Sequence, residues 1–208
     1  MKIIAILNQK GGVGKTTLAT NIASKLHLDK ERVLLIDSDP QGSARDWHAA
    51  GNSEIPVVGM DRPTLEKDIQ KISNNFDWVI IDGAPQLTDM AISAIKCADV
   101  IIIPVQPSPY DIWASSDIVE IIKERQHLTD GKPQALFCIS RKIASTSLSK
   151  EVVEALENYG LSVLKSSTSQ RIIYAKSAAE GKSVFEALKG TEAAQEIAKI
   201  VDEIKELL

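Results

Sequence analysis

Apolar, β-branched runs recur along the chain at residues 3–7, 33–36, 57–60, 78–81, 100–105, 135–139 and 161–164. Each run is continuous rather than alternating, the pattern of a strand covered on both faces. Apolar residues at helical spacing fill intervals between them, notably 18–26, 64–72, 88–97, 112–127 and 148–159. Strands alternating with helices predict an α/β fold, a mostly parallel twisted sheet with right-handed crossovers and helices on both faces. Such sheets bind ligands at the carboxyl ends of their strands. The last segment, 192–208, sets Ile197, Ile200, Val201, Ile204, Leu207 and Leu208 at helical spacing, with a mainly acidic opposite face. A helix lying on a membrane surface would carry lysine and arginine there, so this one is expected to dock on the protein's own core. With no repeat, linker or low-complexity tract in 208 residues, one domain is expected.

Composition narrows the picture. Aromatic residues make up only 4%, so the core must rest on Ile, Val, Leu and Ala. There is no signal peptide and no apolar run long enough to span a bilayer. Cys97 and Cys138 fall in a helix-like and a strand-like segment. A disulfide is therefore not expected, a reducing cytoplasm fits, and both are read as small buried side chains rather than metal ligands. The net charge of −4 argues against a generally basic nucleic-acid binder. Residues 141–189 nevertheless hold eight basic against five acidic side chains, which leaves room for a local basic face.

The chemistry is concentrated after the first strand, in Lys10-Gly11-Gly12-Val13-Gly14-Lys15-Thr16-Thr17. A strand, a glycine-rich turn and a helix in that order are the setting of a phosphate-binding loop. Gly11, Gly12 and Gly14 permit backbone N–H groups to curl around phosphate oxygens, and the helix that follows aims the positive end of its dipole at the same anion. Lys15 would reach the β- and γ-phosphates, and the Thr16 hydroxyl would ligate Mg²⁺. Two details depart from the generic loop: Gln9 replaces its first glycine, and a second lysine, Lys10, stands just inside. Asp37 and Asp39 end the second strand on one side of it. Buried charge of that kind needs a cation or a hydrogen-bonded water, although Asp and Pro also build ordinary strand-ending turns. Asp82 closes the strand at 78–81 and is placed to hold Mg²⁺ through water. Pro104, Pro107 and Pro109 then stiffen a loop that could wall a nucleotide pocket, form a subunit contact, or simply turn the chain.

These residues resemble a known family. The run from Lys10 to Thr16 is similar to the deviant Walker motif of the ParA/MinD ATPases, Asp37-Ser38-Asp39-Pro40-Gln41 resembles the Asp-x-Asp-Pro-Gln of ParA-type DNA-partition proteins, and Ile81-Asp82-Gly83-Ala84-Pro85 resembles their second carboxylate strand. The likeness extends to the short ParF-like members through Pro107-Ser108-Pro109 and Ile139-Ser140-Arg141-Lys142. It implies a P-loop NTPase fold, ATP and Mg²⁺ as cofactors, and nucleotide contacts from Gly11 to Thr17 together with Pro107 and Arg141. Lys10 matches the signature lysine, which reaches across a nucleotide-sandwich dimer to the partner's phosphates. Asp39 matches the aspartate that orients the attacking water, giving Lys10, Lys15 and Asp39 catalytic roles. Thr16, Asp37 and Asp82 match the residues around Mg²⁺, and Thr17 the residue near the α-phosphate.

The resemblance further implies a homodimer on ATP binding, non-specific DNA binding through basic residues of the C-terminal half, and a ParB-like or other adaptor that stimulates hydrolysis. Arg171, Lys176 and Lys182 are the candidate DNA contacts. The first strand begins at the second residue, so no N-terminal helix-turn-helix domain is expected. The acidic C-terminus speaks against the membrane helix of MinD-type relatives. The expected function is plasmid or chromosome partition from a cytoplasmic, nucleoid-associated location. The alternatives are a positioning ATPase for a non-DNA cargo and an ATP-dependent ligase on the same fold.

Overall fold

The computed structural model describes residues 1–86, 88–143, 148–187 and 190–208. Lys189 and the side chain of Lys150, counted above in the basic segment, lie outside the described residues. The chain runs β1 (Lys2–Ile6), α1 (Lys15–Leu28), β2 (Val33–Asp37), α2 (Ser43–Ala50), β3 (Val57–Gly59), α3 (Leu65–Ile72), β4 (Trp78–Asp82), α4 (Asp89–Cys97) and β5 (Val100–Val105). It continues through α5 (Pro109–Trp113), α6 (Ser116–Leu128), β6 (Gln134–Ile139), α7 (Leu148–Glu157), β7 (Ser162–Val163), α8 (Ile172–Ala179), α9 (Val184–Ala187) and α10 (Glu192–Glu206).

All seven strands join one sheet in the order β3-β2-β4-β1-β5-β6-β7, and every pairing is parallel. The continuous apolar runs now have their cause, since successive strand residues feed opposite layers. Ile4, Ile6, Leu35, Ile80 and Ile102 pack with α1 and α10 on one face. Ile3, Ala5, Leu34, Ile36, Val79 and Ile101 pack with α3, α4 and α6 on the other. The last helix buries Ile197, Ile200, Val201 and Ile204 in the first of these layers, as its apolar stripe requires. Among the described residues no helix is long and apolar enough to cross a membrane.

Three short helices, α2, α8 and α9, have no counterpart in the hydrophobic pattern. Helix α2 buries only Ala44 and Trp47, and α8 only Ser177. Helix α8 does carry Ile172, Ile173 and Tyr174, but as consecutive residues rather than at helical spacing, so they show no period. The expected helix at 112–127 is also broken in two. Pro109 starts α5 at its first turn, and the Ser115 hydroxyl donates to the Asp111 carbonyl at 3.0 Å, where it competes with the backbone ladder.

The order of strands fixes the site. From β1 the chain moves to β2 on one side of the sheet, with β4 between them, and later to β5 on β1's other side. The crevice at this reversal, beyond the carboxyl ends of β1, β4 and β2, is where open α/β sheets bind ligands. Register brings Ile6, Asp82 and Asp37 level there, with Asp82 paired between the other two.

Candidate nucleotide site

The loop between β1 and α1 is built by its glycines in an unequal way. Gly12 and Gly14 have φ of 75° and 97°, backbone conformations that a side chain resists. Gly11 does not need this freedom, and a Cβ added at Gly11 or Gly12 would meet nothing within 4 Å. The loop is thus an open cradle, not a packed turn. Its floor is fixed from outside. Ser140 Oγ donates to the Val13 carbonyl at 2.7 Å, Gln106 Nε2 to the Gly12 carbonyl at 3.1 Å, and Asn8 Nδ2 to the Pro104 carbonyl at 2.8 Å.

The two lysines part company. Lys15, at the start of α1, is buried and donates to the Lys10 carbonyl at 2.9 Å. Burial holds its pKa below the ordinary value, while the charges of Asp82 and Asp39 oppose that shift. Lys10 turns the other way. Its Nζ lies 2.6 Å from Asp111 Oδ2 on α5, with the lysine side chain 38% and the aspartate 4% exposed. Gln9 follows it, its amide donating to the Ala114 carbonyl just after α5.

The carboxylates also divide. Thr16 Oγ1 donates to Asp82 Oδ2 at 2.7 Å. The other Asp82 oxygen is buried without a hydrogen-bond partner among the described residues. Burial pushes Asp82 up to about 7; the Thr16 hydrogen bond and Lys15 pull it down, and Asp37 and Asp39 add to the rise. A buried carboxylate with one open oxygen beside a threonine hydroxyl suits a hard divalent cation, which favours oxygen donors. Thr16 and Asp82 could therefore hold Mg²⁺. Asp37 does not share this character. Its oxygens accept from the backbone N–H groups of Asp39, Ala44 and Arg45 at 3.0–3.1 Å and face Arg45 Nε at 3.4 Å. Asp37, expected beside the metal, has a carboxylate that fixes the first turn of α2. Asp39 is half-buried at the turn before that helix, its Oδ1 accepting from the Gln41 N–H at 3.0 Å.

A cavity of about 690 Å³ adjoins the loop, lined by Gly14, Thr17, Ser140, Arg141, Thr168, Arg171, Tyr174 and Ala178 among others. Its size and mixed lining suit a nucleoside. Arg141 lies in this lining, with φ of 54° and its backbone N–H directed to Thr168 Oγ1 at 3.3 Å. Pro107 lies outside this lining; the loop it belongs to reaches the cradle through Gln106. The sequence reading missed Ser140, Thr168 and Tyr174 as walls and Asp111 as the partner of Lys10. Ser140 had a local signal in the run Ile139-Ser140-Arg141-Lys142, and Asp111 one as a charged residue two positions after Pro109.

The DNA candidates fare unequally. Arg171 donates to Glu196 Oε1 from Nε and Nη2 at 3.0 Å, and also to Glu192. Its fork is closed on α10, so it does not present a free cation for phosphate. Lys182 pairs with Glu180 at 2.8 Å, while Lys176 is exposed. The two cysteines are unpaired, and burial raises both thiols to about 12.

A phosphate cradle at the switch point of a parallel sheet, with a threonine–aspartate pair beneath it, defines a P-loop nucleotide-binding protein. Residues 4–184 match the family described as the CobQ/CobB/MinD/ParA nucleotide binding domain, and the chain belongs to that family. Over 209 residues it is 36% identical to maintenance of carboxysome distribution protein A of Halothiobacillus neapolitanus, covering 97% of this chain and 95% of that one. It is 26% identical over 201 residues to the chromosome partitioning protein ParA of Myxococcus xanthus, covering 76% and 71%. The septum site-determining protein MinD of Pyrococcus horikoshii, solved with Mg-ADP, superposes with a TM-score of 0.79 at 18% identity, covering 99% of this chain and 96% of that one. The protein is accordingly an ATPase of the ParA/MinD type that uses ATP with Mg²⁺.

Proposed function

We propose that the chain is an ATP-driven dimeric switch that positions a large intracellular cargo, using non-specific DNA as its track and acting through one domain over residues 1–208. The observation that carries the reading is the divergence of the two loop lysines. Lys15 folds into its own cradle, whereas Lys10 points out of it toward α5. A cation at the rim that does not serve its own phosphate site is suited to serve a partner's. Exposed Tyr110 and Trp113 flank Asp111, so apolar surface is available beside Lys10 for a second copy.

In the dimer, Lys10 of each chain completes the other's site. The Gly11–Thr17 cradle and Lys15 orient and neutralise the phosphates, Asp39 orients the attacking water, and Arg141 borders the nucleoside. Mg²⁺, held by Thr16 and through water by Asp82, would neutralise charge on the transferred phosphoryl group. Near-full-length similarity to a carboxysome distribution protein favours a protein-based cargo. The ParA relative supports plasmid or chromosome partition as the second reading. Either requires an adaptor that links the switch to its cargo and stimulates hydrolysis. A ligase would need a further substrate site, and the polar groups gathered here are those of the nucleotide.

The test is ATP-dependent dimerisation, followed by light scattering, together with retention on non-specific DNA at low salt. Dimer formation with ATP and salt-sensitive retention are expected. A chain that stays monomeric and leaves DNA unbound with ATP present overturns the proposal.

A further inference from the structure

The contact that occupies Lys10 in the free chain is itself unusual. Asp111 is 3% exposed, lies on a helix of five residues, and takes the Lys10 ammonium on one oxygen at 2.6 Å. Its other oxygen is buried with no hydrogen-bond partner among the described residues. Lys10 is thus the cation that compensates a nearly buried anion. Removing one member of such a pair is strongly unfavourable, because the other is left as an uncompensated charge. The loop is tied to α5 a second time through Gln9 and Ala114. A lysine that serves a partner's phosphate must first leave this position.

We propose that Asp111 is a positioning residue that parks the Lys10 ammonium within its own chain and so sets the threshold for ATP-driven dimerisation. The nucleotide-free chain keeps Lys10 folded onto α5, where it cannot engage a second copy. Only the attraction of a partner's bound triphosphate draws it away. The Lys10–Asp111 pair opposes dimer formation twice, once in each subunit. Movement of Lys10 also releases α5, whose exposed Trp113 stands two residues from Asp111.

This inference rests on the trans role of Lys10, and the experiment separates the two. Dimer dissociation constants are measured by analytical ultracentrifugation with Mg²⁺ and the non-hydrolysable analogue AMP-PNP for the wild type, Asp111→Asn, Lys10→Ala and the double variant. Asp111→Asn should dimerise about 10-fold more tightly or better, with ADP binding to the monomer unchanged. The gain should vanish in the Lys10→Ala background, which a merely structural role of Asp111 would not produce. Trp113 is the only exposed tryptophan, Trp47 and Trp78 each being 5% exposed, so emission from the free Asp111→Asn chain should shift toward its dimeric value. Asp111→Ser provides the same removal of charge if the asparagine variant folds poorly. Unchanged or weaker dimerisation of a folded Asp111 variant overturns the latch. Wild-type dimerisation and hydrolysis in Lys10→Ala overturn the trans lysine, and the latch with it.

Discussion

On the floor of the phosphate loop, buried Lys15 and Asp82 form no ion pair with each other among the described residues, whereas around α8 opposite charges have closed on one another. Lys15 and Asp82 are both buried, yet Lys15 rests on a backbone carbonyl and Asp82 keeps an open oxygen. Arg171, by contrast, holds Glu196 with two donors and Glu192 with a third. A group left without its partner in a buried place is costly, and that cost is recovered only when something binds. A surface arginine closed on two glutamates has no such debt and no such readiness. Unsatisfied charge therefore locates function better than abundant charge does.

The sharpest way to break this comparison is to remove one charge from each region. Lys15→Ala should reduce ATP turnover by a factor on the order of 10²–10³, the loss typical of a preorganised electrostatic contact, measured by steady-state phosphate release. Lys182→Ala, which breaks an exposed pair with Glu180 just after α8, should leave turnover within about 2-fold, as expected of a surface ion pair. Comparable losses in the two variants would dissolve the distinction.

A second effect, of intermediate size, sharpens it through pH. Burial holds Asp82 near 7, above its ordinary 3.8. The folded chain therefore binds more protons than the unfolded chain between those values. The resulting stability is fully present below about pH 4 and is lost as pH rises through 7. Raising the pH from 5 to 8 should lower the Tm of protein free of nucleotide and metal by roughly 5–10 °C, on the order of a few kcal/mol. Asp82→Asn should flatten the profile. A Tm that rises over this range in the wild type, or an unchanged slope in the variant, would show that Asp82 is not the group responsible.

The smallest effect concerns DNA. Lys176 is exposed, whereas Arg171 is closed on α10. Lys176→Ala should weaken retention on non-specific DNA a few-fold and reduce the salt slope by about one unit, and Arg171→Ala should leave the slope nearly unaltered. Titration over salt by fluorescence anisotropy decides between them, and a larger slope change at Arg171 would reverse the ranking.

The same contrast explains what could be read in the sequence. The five central strands, β1, β2, β4, β5 and β6, were legible because each feeds two apolar layers, which leaves uninterrupted runs such as residues 78–81 and 100–105. The cradle was legible because its residues are contiguous: Gly12 and Gly14 are demanded by local backbone conformation. The position of Asp37 at a strand end could be read locally, but not that Ala44 and Arg45 return their N–H groups to it. Arg171 looked like a free cation because its partners, Glu192 and Glu196, stand more than twenty positions later. Pairings between segments distant in sequence leave no mark in local spacing. The Lys10–Asp111 contact, 101 residues apart, was hidden for the same reason.

Helix α2 begins on the oxygens of Asp37, and the far end of that helix is held just as closely. Trp47 Nε1 donates to the Lys182 carbonyl at 3.2 Å, and a Cβ added at Gly51 would lie 2.1 Å from the Gly181 carbonyl oxygen. Backbone meets backbone there with no side chain between. Helix α2 is in effect a strut, pinned at one end beside the nucleotide crevice and at the other to the turn that follows Lys176. Side chains yield by changing rotamer, but two glycines in contact have none to change. The two segments consequently tilt together or separate outright, and any substitution at Gly51 or Gly181 forces the second course.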